Sequence, residues 1–192
     1  MVTRNDIAIV HISTDERNVA NYFAKRRELF EYPRNGYGDY NTRGIQNIEN
    51  GLLGELAFLE LIYKKINDKY GNLEAHERCE RLKEKFSYRI ILGDFDGGFE
   101  FKLNGKTIDI KTYGTRIVSI DDIFNRPYNL FVDANQGTHA DIYIQAFLIS
   151  ENDVCIAGYY DGVPPIASWM PQSAHACPVP ELSPINKLLE TL

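Results

Sequence analysis

Several features that mark secreted, membrane and nucleotide-driven proteins are missing from the chain. Its three cysteines, Cys79, Cys155 and Cys177, are an odd number, lie far apart and follow no secretory leader, so we expect a protein of the reducing cytoplasm. No apolar run approaches the roughly 20 residues that cross a bilayer, so we expect no membrane insertion. Neither a Gly-x-x-x-x-Gly-Lys phosphate loop nor a Gly-x-Ser-x-Gly elbow occurs, which argues against a nucleotide cofactor and a serine hydrolase.

The composition is that of an ordinary folded protein. Hydrophobic residues make up 44% of the 192 residues, charged residues 25% and aromatic residues 12%, which argues against disorder. The net charge of −6 argues against an indiscriminate nucleic-acid coat, although it allows a local basic groove. A chain of this length buries a core without disulfide or metal staples, so we expect a single domain over 1–192.

Helical patterns occupy the first part of the chain. Ser13 and Glu16 have the spacing of a capping box, which predicts a helix from about Asp15 to Phe30. Apolar residues then recur at helical spacing from Ile45 to about Asn67, and a more charged amphipathic helix is predicted over Leu73 to Phe86. Shorter patterns predict a strand at YRIIL, a helical turn at SIDDIF, two strands within NLFVDANQGTHADIYIQAFLIS and a strand at VCIAGYY.

The segment FEFKLNGKTIDIKTY predicts a β-hairpin with charges on one face. A two-residue turn at Asn104 and Gly105 gives a register in which Glu100 lies opposite Asp109. Opposed residues have Cβ atoms about 5 Å apart, so two carboxylates there repel each other. Lys111 shares that face and neutralises them in part, and such a carboxylate pair also suits Mg²⁺. Taken alone, the hairpin is equally well explained as a solvent-facing, salt-bridged strand.

Glu55 is a second carboxylate in an unusual place. Its neighbours at helical spacing include Gly51, Phe58, Leu59 and Ile62, so the stripe around it is apolar. A carboxylate buried there needs a cation, a metal or a proton, because an unpartnered buried charge is costly.

Three segments, GLLGELAFLE, DFDGG and TIDIKT, resemble the signature of the PD-(D/E)xK nuclease superfamily. That signature is a helical Glu, an acidic residue entering a hairpin, and Asp-x-Lys on the next strand. The resemblance covers about Ile45 to Ile149 and implies a mixed α/β fold with a restriction endonuclease-like αβββαβ core. We place the core at about 45–160, after an N-terminal helix and loop extension over 1–44 and before a Pro-rich tail over 161–192.

The resemblance also implies a metal site. The oxygens that would hold Mg²⁺, or Mn²⁺ in its place, belong to Glu55, Glu100, Asp109 and the backbone carbonyl of Ile110. Lys111 would orient the attacking water. The family usually has Asp where Glu100 stands. Asp94, Asp96 and Glu100 are even numbers of residues apart, so all three would point to the same face of a strand. The hairpin register favours Glu100, and Asp96 is the second choice because it reaches the site only if the strand bends at Gly97-Gly98.

Other residues have weaker signals. Gln145 lies on a strand expected beside the site, where family members sometimes carry a Gln; it is otherwise a half-buried polar residue. His175 and Cys177 lack the further ligands that structural zinc needs. The loop after the first helix carries side chains suited to phosphate and base contact, although a plain surface loop has the same composition. The nucleic-acid-binding candidates there are Arg34, Arg43, Tyr37 and Tyr40, with Arg26 and Arg27 before them.

The predicted function is that of a Mg²⁺-dependent deoxyribonuclease, more typical of an endonuclease than an exonuclease. A restriction-type enzyme or a junction resolvase, from a host, phage or virus, would act on duplex or branched DNA as a homodimer, since two sites must meet two strands. Two alternatives stay open. One is a non-catalytic nucleic-acid-binding or assembly protein that keeps the nuclease fold, and the other is an RNA-cleaving member of the superfamily.

Overall fold

The chain folds as a mixed α/β protein. The computed structural model describes residues 1–31, 41–74, 76–77, 80, 101–113, 116–134, 139–167, 169 and 174–191, without the side chains of 26–31 and 41–43. Its helices are α1 (Thr14–Glu31), α2 (Asn41–Tyr70), α3 (Ile120–Asn125) and α4 (Ile185–Leu189), with a 3-10 helix at Val179–Glu181. Its strands are β1 (Ala8–His11), β2 (Phe101–Leu103), β3 (Lys106–Tyr113), β4 (Asn129–Asp133), β5 (Ile142–Leu148), β6 (Asp153–Asp161) and β7 (Ala174–Pro178).

Five strands form the main sheet, in the order β1-β6-β5-β3-β2. Strand β3 pairs with β5 in parallel, and the other neighbours are antiparallel. A parallel pair needs a crossover connection, and the segment that contains α3 and β4 provides it. Strand β4 pairs with β7 in a separate two-stranded sheet.

Both faces of the main sheet are covered. On one face, α1, α2 and α4 form an apolar cluster with alternate residues of β3, among them Ile108 and Ile110. On the other face lie the β4-β7 sheet, α3 and the 3-10 helix, which form a second apolar cluster with Tyr143 and Phe147 of β5. The middle of β3, from Ile108 to Ile110, is therefore buried, including the polar Asp109, whereas its two ends are partly exposed.

The hairpin prediction is confirmed. Asn104 and Gly105 have positive φ angles of 48° and 84°, as their turn requires, and Phe101 pairs with Ile108. This is the register expected from the sequence. Glu100, which would extend the pairing to Asp109, lies outside the described residues.

The two long helices are confirmed with small differences at their ends. Ser13 and Glu16 make a capping box, in which the Ser13 amide donates to the Glu16 carboxylate (2.8 Å) and the Glu16 amide to Ser13 Oγ (3.2 Å). Helix α2 begins at Asn41, before the predicted Ile45. Residues 72–74, 76–77 and 80 are also helical, and the YRIIL strand lies outside the described residues.

The chain termini contribute to the main sheet and to its core. Strand β1 extends the sheet along β6, and its Val10 is buried with Leu188 and Leu189 of α4. Strand β7 belongs to the AHACP segment, where no strand is evident from the sequence. Within the described parts of the chain, no helix has the length and hydrophobicity to span a bilayer.

Candidate active site

Strand β3 carries the central pair of the site, Asp109 and Lys111. Ile108 and Ile110 pack toward the helices, so alternation along the strand puts Asp109 and Lys111 on the other face. Asp109 is only 2% exposed. The Lys111 Nζ lies 2.6 Å from Asp109 Oδ2, and the lysine side chain is 32% exposed. The Lys111 side chain is therefore partly exposed while its ammonium group contacts a buried carboxylate.

The Asp109 carboxylate has spare acceptor capacity. Neither oxygen has a hydrogen-bond partner of acceptable angle among the described residues, so the short Lys111 contact is an ion pair with poor hydrogen-bond direction. An ionised carboxylate offers about four lone-pair sites. Leaving them unused in a buried place is unfavourable, and a hard cation or a donor from a bound molecule would satisfy them.

Gln145 lies on β5 directly beside Lys111. The two residues are register partners, and Gln145 is 3% exposed. Its Nε2 donates to the carbonyl oxygens of Lys111 and Ala146, at 2.9 Å each. A register shift between Gln145 and Ala146 interrupts the pairing of β5 with β6 at this point. The glutamine amide therefore fixes the backbone of β3 at Lys111 where the sheet is irregular.

Glu55 lies on α2 and is 9% exposed, so the buried carboxylate expected from its apolar stripe is present. Its neighbour Gly54 sits against Thr112 and Ala146, so closely that a Cβ at position 54 would overlap Thr112 Oγ1. Thr112 points toward the helices, whereas Asp109 points away from them. Helix α2 therefore contacts β3 at the residue that precedes Glu55.

Several predicted site residues cannot be placed. Glu100, Asp94, Asp96, Arg34, Tyr37 and Tyr40 lie outside the described residues, as does the side chain of Arg43. In the described ranges, no group of three or more His, Cys, Asp or Glu side chains is arranged to hold a metal ion.

His175 and Cys177 have structural surroundings. The His175 Nδ1 contacts the Pro164 carbonyl oxygen at 2.6 Å, and because a carbonyl only accepts, that nitrogen donates. Cys177 is buried, and burial raises the pKa of its thiol to about 11.

An aromatic group beside the site was not anticipated from the sequence. Tyr113 follows Lys111 on the same face of β3, and its ring contacts those of Tyr128 and Phe147, with centroids 5.0 and 5.8 Å away. The Tyr128 hydroxyl in turn accepts a hydrogen bond from Arg116 Nη2 at 3.2 Å. The one signal in the sequence for this cluster was that Tyr113 is an even number of residues from Asp109 and Lys111 and so lies on the same face of the strand.

Replacing Lys111 tests the ion pair. Lys111→Met leaves the Asp109 carboxylate buried without its cation, so we expect the free energy of unfolding to fall by about 2–3 kcal/mol. The double variant Asp109→Asn/Lys111→Met removes both charges and should recover most of that loss. Urea unfolding at pH 7 measures both values. Equal losses of unfolding free energy in the single and double variants would show that Lys111 does not offset the cost of burying the Asp109 charge.

The chain matches no protein-family model, no curated protein and no solved structure in comparisons with known proteins. No relative supplies a ligand or a reaction for the site.

Proposed function

We propose that this protein is a metal-dependent nuclease that hydrolyses phosphodiester bonds of DNA, with Asp109 and Lys111 at its active centre. The observation that supports this is the Asp-x-Lys geometry. A carboxylate that is 2% exposed, with unused lone pairs, lies 2.6 Å from the ammonium of a lysine whose side chain is partly exposed. A phosphodiester needs a cation for its charge and a positioned water, and this pair provides for both.

The strand arrangement is consistent with a restriction endonuclease-like core. An antiparallel hairpin, β2-β3, is followed by a helix-containing crossover to β5, which runs parallel to β3. The long helix α2 packs on one face of this unit and carries Glu55. This supports the later part of the αβββαβ order that the sequence resembles, although β4, a strand of the separate sheet, lies between α3 and β5.

The available oxygens fit Mg²⁺ or Mn²⁺. Both Asp109 oxygens lack hydrogen-bond donors among the described residues, and carboxylates are the ligands that hard divalent cations prefer. The Ile110 carbonyl, Glu100 and Glu55 are the further ligands that we propose. A bound cation would supply Lewis acidity and lower the pKa of a coordinated water.

The protein's own residues have separate tasks in this proposal. Lys111 donates a hydrogen bond to the attacking water or to a non-bridging phosphate oxygen and offsets the phosphate charge. Asp109 holds the ammonium in place from the buried side of the strand. Gln145 fixes the Lys111 backbone through its 2.9 Å hydrogen bond, so β5 sets the position of the lysine.

A cleavage panel tests the proposal. Supercoiled plasmid, linear duplex, single strands, a four-way junction and RNA are incubated with the protein in Mg²⁺, Mn²⁺ or EDTA. We expect DNA cleavage in either metal and none in EDTA. RNA cut in preference to DNA would correct the substrate class. No cleavage of any substrate, together with no Mn²⁺ binding by calorimetry, would refute the nuclease proposal and favour a non-catalytic binding protein.

A further inference from the structure

Beyond Lys111, the polar face of β3 continues toward a cluster built from aromatic rings and one arginine. Tyr113 is two residues further along the same face, about 7 Å from Lys111 at a strand rise of about 3.3 Å per residue. Its ring packs edge-on against Tyr128, which is itself 9% exposed and contacts Phe147 at 5.4 Å between centroids. The Tyr128 hydroxyl is therefore held in a fixed position by packed rings.

Arg116 uses that hydroxyl as its anchor. Its guanidinium donates to Tyr128 Oη at 3.2 Å, and the rest of the side chain is exposed. The same hydrogen bond raises the pKa of Arg116, so the group is charged at any working pH. A guanidinium has five N–H donors, and one contact to a neutral oxygen leaves most of them available.

The charge on Arg116 is not cancelled by a paired carboxylate. Nearby arginines are compensated, because Arg126 pairs with Asp122 and Arg4 with Asp121, each at 2.8 Å. In the described part of the chain, Arg116 has no ion pair with a carboxylate. Asp122 acts on Arg116 only as a nearby charge, so on a protein with a net charge of −6 this cation, which no carboxylate contacts directly, attracts an anion locally.

We propose that Arg116, anchored by Tyr128, binds a backbone phosphate of the nucleic-acid substrate beside the cleaved bond. The strand would then run from Lys111 past Tyr113 toward Arg116, because the ring of Tyr113 contacts that of Tyr128 and the Tyr128 hydroxyl holds Arg116. A planar guanidinium binds phosphate through two parallel hydrogen bonds, which also fixes the direction of the strand. This inference rests on the proposed nuclease function.

The test measures binding separately from cleavage. Fluorescence anisotropy of a labelled DNA duplex, in EDTA and over a series of salt concentrations, compares the wild type with Arg116→Ala, Arg116→Lys, Tyr128→Phe and Arg126→Ala. Arg126→Ala is the matched control, because it removes an exposed arginine that already has a carboxylate partner. Circular dichroism verifies that each variant is folded.

We expect Arg116→Ala to weaken binding about tenfold and to reduce the slope of log K against log salt by about 1. Arg116→Lys should recover part of the affinity, because it keeps the charge and loses the two-pronged contact. Tyr128→Phe should weaken binding about two- to threefold with the net charge unchanged, an effect that loss of charge alone cannot produce. In cleavage assays Arg116→Ala should raise KM with little change in kcat.

The two proposals fail in different ways. The phosphate site would be overturned if the wild type binds DNA and Arg116→Ala binds it with the same affinity and salt slope. It would also be overturned if Arg126→Ala loses as much affinity as Arg116→Ala. Either result would leave the nuclease proposal standing. Absence of both DNA binding and cleavage in the wild type would refute the nuclease function and this inference together.

Discussion

Asp109→Asn is expected to reduce metal-dependent DNA cleavage about 1000-fold or more, while the protein stays folded. Asparagine has the shape of aspartate but lacks the negative charge that a divalent cation and Lys111 both need. The lysine left behind is 32% exposed and becomes hydrated, so the fold should tolerate the change. Plasmid cleavage in Mg²⁺ and Mn²⁺ gives the rate, and thermal unfolding gives the stability.

Asp161→Asn is the matched control for this change. Asp161 lies at the end of β6, is 63% exposed and pairs with Lys106 at 2.9 Å, so the substitution makes the same change in net charge away from the site. Its cleavage rate should equal that of the wild type. Wild-type cleavage by Asp109→Asn would exclude this carboxylate as a metal ligand. Calorimetry with Mn²⁺ should show binding to Asp161→Asn and loss of binding to Asp109→Asn.

Local signals in the sequence predicted local structure correctly. The capping box at Ser13 and Glu16 and the turn at Asn104 and Gly105 each involve residues within one turn of chain, and both form with the expected hydrogen bonds or φ angles. The common face of Asp109 and Lys111 also follows from alternation along one strand, a property of the backbone alone.

Contacts between distant segments were harder to predict from the sequence. NLFVD and DIYIQAF are both strands, as predicted, but β4 pairs with β7, which starts at Ala174 and has no alternating apolar pattern. This second layer packs against Tyr143, Phe147 and Tyr113, which share the sheet face of Asp109, and Asp109 is 2% exposed. The Arg116–Tyr128 contact depends on the same layer, and nothing in the spacing of the two residues indicates it.

The close approach of α2 to β3 gives the second large effect. Gly54→Ala should lower the free energy of unfolding by about 2–3 kcal/mol, because the new methyl group would overlap Thr112 Oγ1 and force the helix and strand apart. Alanine is intrinsically the better helix former by about 1 kcal/mol, so this loss would oppose the usual trend. Urea unfolding measures it directly.

Gly51→Ala provides the control on the same helix, one turn earlier. No atom lies within 4 Å of a Cβ built at Gly51, so the substitution should stabilise the protein by about 0.5–1 kcal/mol. Thr112→Ala should relieve part of the Gly54→Ala loss, since it removes the overlapping oxygen, which has no hydrogen-bond partner among the described residues. If Gly54→Ala were as stable as Gly51→Ala, α2 would not approach β3 at this point.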